Sequence, residues 1–136
     1  MRDGNIATNI GILAHSRPRG RVVSSAILRL TGDSPMLTLG LFARLEAKPG
    51  KEEDVAAFLM QGLQLANQET TTPLWFAVRL APTTFAIFDA FHDEAGRQAH
   101  LNGPIAAALM AKAPDLLATA PSIERAQVLG SKVTTA

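Results

Sequence analysis

The sequence predicts an α+β fold in which an antiparallel four-stranded sheet, in the order βαββαβ, carries two helices on one face. Three observations predict it. Four short runs have the alternation or the composition of strands. Two segments between those runs place apolar residues three and four apart, the spacing of a helix with one buried stripe. Breakers built on Pro, Gly, Asn and Thr separate them.

In chain order, Leu37, Leu39, Leu41, Ala43 and Leu45 alternate with Thr38, Gly40, Phe42, Arg44 and Glu46, a first strand that ends at Pro49-Gly50. Lys51-Glu52-Glu53-Asp54 then opens a helix, since carboxylates in a first turn are favoured by its dipole. Val55, Phe58, Leu59, Gly62, Leu63 and Ala66 form its stripe to about Asn67. After Thr70-Thr71-Thr72-Pro73, the runs Leu74 to Leu80 and Phe85 to Phe91 read as a hairpin about Ala81-Pro82-Thr83-Thr84. Pairing Leu80 with Phe85 puts Leu74, Phe76, Val78 and Leu80 on the face of Phe85, Ile87, Asp89 and Phe91, with Trp75, Ala77, Arg79 and Phe88 opposite. Asp93 caps a short helix to about Leu101, and Asn102-Gly103-Pro104 restarts it with Pro at its first position. Pro114 is expected to end or kink that second piece. Ser122 to Leu129 is the last strand.

Both faces of such a sheet are apolar and one layer of helices covers only one, so the bare face predicts a homodimer. The domain is expected over residues 37–136, preceded by a flexible N-terminal extension over 1–36. Met36, where the character of the chain changes, is a candidate translation start that the intact mass of the native protein decides. Five arginines against two aspartates precede Met36, whereas the whole chain has 13 basic and 12 acidic residues. A net +1 creates no field that argues for nucleic acid or membrane, and Arg17-Pro18-Arg19-Gly20-Arg21 lacks an aromatic for base stacking. With no cysteine, disulfides, thiolate nucleophiles and Cys-ligated metals are excluded, and a cytoplasmic location fits. No apolar run reaches the length of a membrane span.

Nucleophile elbows, phosphate-cradling Gly-rich loops and His-Glu-x-x-His are absent, and His15, His92 and His100 are too scattered to predict a metal site. His100, at the end of the short helix, is the candidate general base; the alternative is a helix-end histidine bonding free carbonyls. Asp89, buried by the inferred register, either orients His100 or accepts backbone N–H bonds. Trp75, Phe76, Phe88 and Phe91 are candidates to line an aromatic-ligand pocket, although alternating apolar side chains are core by default. Asn67 is either a donor to a ligand or a helix terminator, and Arg79 reads as an interface ion pair.

Leu39 to Gly50, the run from Phe85 through Asp89, Phe91 and Glu94, and Ala99-His100-Leu101 together resemble the antibiotic biosynthesis monooxygenase superfamily, over about residues 37–130. The resemblance rests on an acid two residues before an aromatic at the end of the third strand, followed by a His-Leu pair. It implies a ferredoxin-like domain that dimerises into an α/β barrel, with a ligand pocket in each subunit between sheet and helices. It further implies a cofactor-independent monooxygenase that acts with O₂ on a small quinol or anthrone. There the protein deprotonates, orients and desolvates the substrate, with no metal or flavin, so the cofactor expectation is none. His100 and Asp89 would be catalytic, and Phe91, Phe76, Asn67 and Trp75 would bind substrate. The haem-degrading branch needs an Asn, a Trp and a His where this chain has Ala43, His100 and Met110. The alternative within the fold is a non-catalytic dimeric module that binds a small ligand or serves a stress response.

Overall fold

The computed structural model describes residues 36–134, so the expected N-terminal extension, His15 and the arginine cluster lie outside the described residues. The elements are β1 (Leu39–Glu46), α1 (Glu52–Ala66), β2 (Leu74–Ala81), β3 (Thr84–Phe91), α2 (Glu94–Leu101), α3 (Pro104–Leu116) and β4 (Ser122–Gln127). The sheet is antiparallel throughout in the order β2-β3-β1-β4, the ferredoxin-like arrangement expected. None of the described helices is long and apolar enough to cross a membrane.

Local chemistry sets the boundaries. Glu46, where β1 ends, accepts from the hydroxyls of Thr83 and Thr84, which lower its pKa and tie β1 to the hairpin turn. Gly50, with φ of +83°, is the residue that lets the chain reverse into α1. The Asp93 carboxylate accepts from the Gly96 N–H at 2.9 Å and starts α2, and Pro104 starts α3. Pro114 does not stop α3, which continues to Leu116. At position 114 the proline lacks the N–H that would bond the Met110 carbonyl, and the helix ends two residues later.

The helix-covered face of the sheet presents Leu41, Ala43 and Leu45 from β1 and Phe85, Ile87, Asp89 and Phe91 from β3. Val55 and Leu59 of α1, and Ile105, Leu109 and Ala113 of α3, close the core over it. On β2 the structure corrects the predicted faces. Ala81 pairs with Thr84, but Arg79 pairs with Phe85, so Leu80 is an extra residue in a β-bulge. From there on, partners sit one residue out from the expected register, and a one-residue slip exchanges the faces. Trp75, Ala77 and Arg79 therefore point toward the helices, while Leu74, Phe76, Val78 and Phe88 point away. Arg79 finds its partners within the chain: its guanidinium lies 4.8 Å over the Phe85 ring and 2.9 Å from the carboxylate of Glu53 on α1.

Arg97 fastens α2 to the sheet. Its buried side chain donates to the carbonyls of Gly40 on β1 and Ala126 on β4 and pairs with Glu94. The bonds from Arg97, then Gln98, hold the Glu94 carboxyl down at about 2. Among the described residues nothing covers the other face of the sheet, which is apolar, with Phe42 paired to Phe88, and Phe76 56% and Val78 40% exposed.

Candidate functional site

Two elements and one loop meet around His100. The helix α2 carries it inward, so that its side chain is only 7% exposed, because Gly96 allows α2 to press against the preceding chain. A Cβ on Gly96 would stand 2.9 Å from the Thr71 carbonyl. The ring of Phe91, fully buried at the end of β3, packs against the imidazole at 5.5 Å between centroids.

Both ring nitrogens face carboxylates. Nε2 lies 2.9 Å from Asp89 Oδ2, and Nδ1 lies 2.7 Å from Glu69 Oε1. Glu69 belongs to the loop between α1 and β2, and the Thr72 hydroxyl donates to the same oxygen at 2.7 Å. Burial lowers the pKa of His100, but the hydrogen bonds and charges of Asp89 and Glu69 outweigh it and the pKa is raised. The dyad read from the sequence is therefore one side of a three-residue cluster. The helix-end alternative is not what the ring does, since its nitrogens meet carboxylates and not carbonyls.

Asp89 and His100 form the polar end of a cavity of about 40 Å³ between the sheet and the helices. Its walls are Leu41, Ala43 and Ile87 from the sheet and Ile105 and Leu109 from α3, with Ile123 of β4, 43% exposed, at the edge. Space of this size takes one or two waters and not an aromatic ring. Two wider grooves, of about 310 and 370 Å³, run along α3 without His100 or Asp89 in their walls.

The remaining predicted residues are not gathered at this cavity. Phe91 supports the imidazole from beneath and does not line the space. Phe76 is on the uncovered face, which removes it from a pocket under the helices. Asn67 caps α1, donating its N–H to the Leu63 carbonyl, with its side chain exposed, and so is a helix terminator. Trp75 is on the helix side directly opposite Asp89, against Gly62, and its buried Nε1 has no hydrogen-bond partner among the described residues. His92 is exposed and bonds the Met36 carbonyl. Among the described residues, no three His, Asp or Glu are arranged to hold a metal ion.

Glu69 is the residue that sequence reasoning missed. It sits in an aperiodic polar loop, and only the two-sided demand of a buried imidazole pointed to a second acceptor.

Neither a protein-family model nor a curated protein matches the chain. Among solved structures, the chain is 55% identical to NE2512, a protein of unknown function from Nitrosomonas europaea, with a TM-score of 0.72 over 76% of this chain and 100% of that one. A protein from Chloroflexus aurantiacus described as a candidate antibiotic biosynthesis monooxygenase is similar at 18% identity and a TM-score of 0.57, covering 71% of this chain and 97% of its own. A second candidate of that description, from Nitrosomonas europaea, is 14% identical with a TM-score of 0.61, covering 68% of this chain and 99% of its own. At 55% identity over the whole of NE2512, and with the topology of the other two, the chain belongs to the family of NE2512 and has the fold of the antibiotic biosynthesis monooxygenases.

Proposed function

We propose that the protein is a homodimeric, cofactor-independent monooxygenase that takes a small quinol or anthrone into the cavity between sheet and helices. The observation that carries this reading is a buried His100–Asp89 pair, 2.9 Å apart, at the end of an otherwise apolar cavity. Such a pair supplies a proton acceptor where water is scarce, the condition under which a phenolic or enolic hydroxyl is converted to an electron-rich anion. That anion can give an electron to O₂ directly. For an anthrone-type carbon, CH₂ and O₂ become C=O and water, so the substrate provides all four electrons.

The uncovered sheet face, with Phe42, Phe76, Val78 and Phe88, supports the homodimer, because an apolar face of this kind is ordinarily covered. Oxygen uptake by metal-free protein with a panel of anthrones, hydroquinones and catechols tests the activity. Turnover that falls in the His100→Ala variant is the expected result, and no uptake with any of them overturns it.

One observation favours a second reading, a ligand-binding module without turnover. Both ring nitrogens of His100 are already engaged by carboxylates, so neither is free for a ligand's proton, and on either reading the cavity of about 40 Å³ has to widen to admit an aromatic ring. Thermal stabilisation by such ligands with no oxygen uptake is the result that distinguishes this reading.

A further inference from the structure

His100 meets a carboxylate at each nitrogen, at 2.7 and 2.9 Å. An ionised carboxylate only accepts hydrogen bonds, and a neutral imidazole has one N–H to give. In a cluster holding one proton, a ring lone pair would face a carboxylate oxygen. Both contacts become hydrogen bonds only when the three groups share two protons, as in an imidazolium held between two carboxylates.

Resting on the reading of the cavity as the ligand site, we propose that Glu69, His100 and Asp89 together hold two protons and a net charge of −1, and that Asp89 Oδ1 takes the ligand's proton. Its position supports this. Asp89 Oδ2 is engaged by His100 Nε2, whereas Oδ1 is buried without a hydrogen-bond partner among the described residues, on a side chain that lines the cavity. The cavity walls from β1, β4, α3 and the remainder of β3 contribute no ionisable group, and the charges facing His100 are those of Asp89 on β3 and Glu69 on the loop. Glu69 does not line the cavity. It offsets the imidazolium from the other ring nitrogen. Glu69 and His100 are positioning residues, and Asp89 is the catalytic one.

The chemical class of the ligand follows. A net negative end repels a carboxylate or phosphate, and the free oxygen has room for one donor, so the ligand is uncharged and carries an O–H at its leading edge. In the transfer the ligand O–H bond breaks and a bond from Asp89 Oδ1 to hydrogen forms. The electron pair stays on the ligand oxygen, the cluster passes from −1 to 0, and the ligand from 0 to −1.

The test uses the full chain labelled with ¹⁵N-histidine, followed by NMR from pH 5 to 9, with His100 assigned by the signal that Glu69→Gln and Asp89→Asn both move. Two N–H protons on the His100 ring at pH 7 are expected, and Glu69→Gln should lower its titration midpoint by about one pH unit or more. Phenol and benzoate serve as probes in thermal unfolding. Phenol should raise the Tm, benzoate should not, and Asp89→Asn should abolish the phenol effect. A ring with one N–H at pH 7, or benzoate stabilising as well as phenol, overturns the proposal. Oxygen uptake bears on the monooxygenase reading alone, since the two-proton cluster and the phenol preference are measured without it.

Discussion

The indole of Trp75 fills the space over Gly62, where a Cβ would stand 3.4 Å from Cη2 and Cζ2. This contact fixes which face of β2 is turned toward α1. It also separates two substitutions at the glycine. Gly62→Ala meets the ring at ordinary contact distance and gains helix propensity, so unfolding in denaturant should show a change between zero and about 1 kcal/mol of stabilisation. Gly62→Leu has to displace the indole, with a loss of about 1–3 kcal/mol and a shifted emission from the single tryptophan. Unaltered fluorescence in Gly62→Leu would show that β2 is turned the other way.

At Gly96 the same substitution has the opposite sign. A methyl group there would come within 2.9 Å of the Thr71 carbonyl, a backbone atom that cannot rotate away. Gly96→Ala should therefore destabilise by about 1–3 kcal/mol despite the better helix former, and should part Glu69 from His100. A lowered His100 titration midpoint in the folded variant is the accompanying signal.

Stability should depend on pH through His100. The folded protein binds the ring proton more tightly than an unfolded chain, in which histidine titrates near 6.5. The stabilisation is thus complete below pH 6.5 and is lost as pH rises through the higher folded value. Denaturant midpoints of wild type should fall across that alkaline window, and those of His100→Gln should fall less. Parallel curves would contradict the raised pKa.

Two phenylalanines on opposite faces of β3 should behave differently. Phe88→Asp puts an unpaired charge on the apolar face and should weaken the proposed homodimer, by about 2–5 kcal/mol. Phe91→Ala opens a cavity beneath His100 and should cost about 3–5 kcal/mol of folding stability while leaving the association state alone. Analytical ultracentrifugation decides: sedimentation of Phe88→Asp identical to that of a dimeric wild type would remove this face from the interface.

Much of the fold is legible because local rules agree with it. The alternation of Leu41, Ala43 and Leu45, the Asp93 cap and the Pro104 start each specify one element with no help from the remainder. The faces of β2 are not legible in the same way. Trp75 and Ala77 on one side and Phe76 and Val78 on the other are equally apolar, so hydrophobic patterning cannot choose between registers one residue apart. Two of the three cluster residues were readable: Asp89 lies at an inward position of a well-patterned strand, and His100 lies about two turns beyond a clear cap. Glu69 was not, because its place depends on how closely α2 approaches the loop at Gly96, a contact with Thr71, 25 residues away, that no local period encodes.

The bulge at Leu80 makes the hairpin tolerant of a change in length. Were Leu80 deleted, Arg79 would still face Phe85 and Ala81 would still face Thr84, now as consecutive rungs of a regular ladder about Pro82-Thr83. The inward set of Trp75, Ala77 and Arg79 would keep its phase, and the cluster around His100 would not register the loss. An insertion or deletion in a strand ordinarily inverts its two sides; here the chain carries a spare residue where a shortened relative could dispense with it, at a site half-exposed and remote from the cavity.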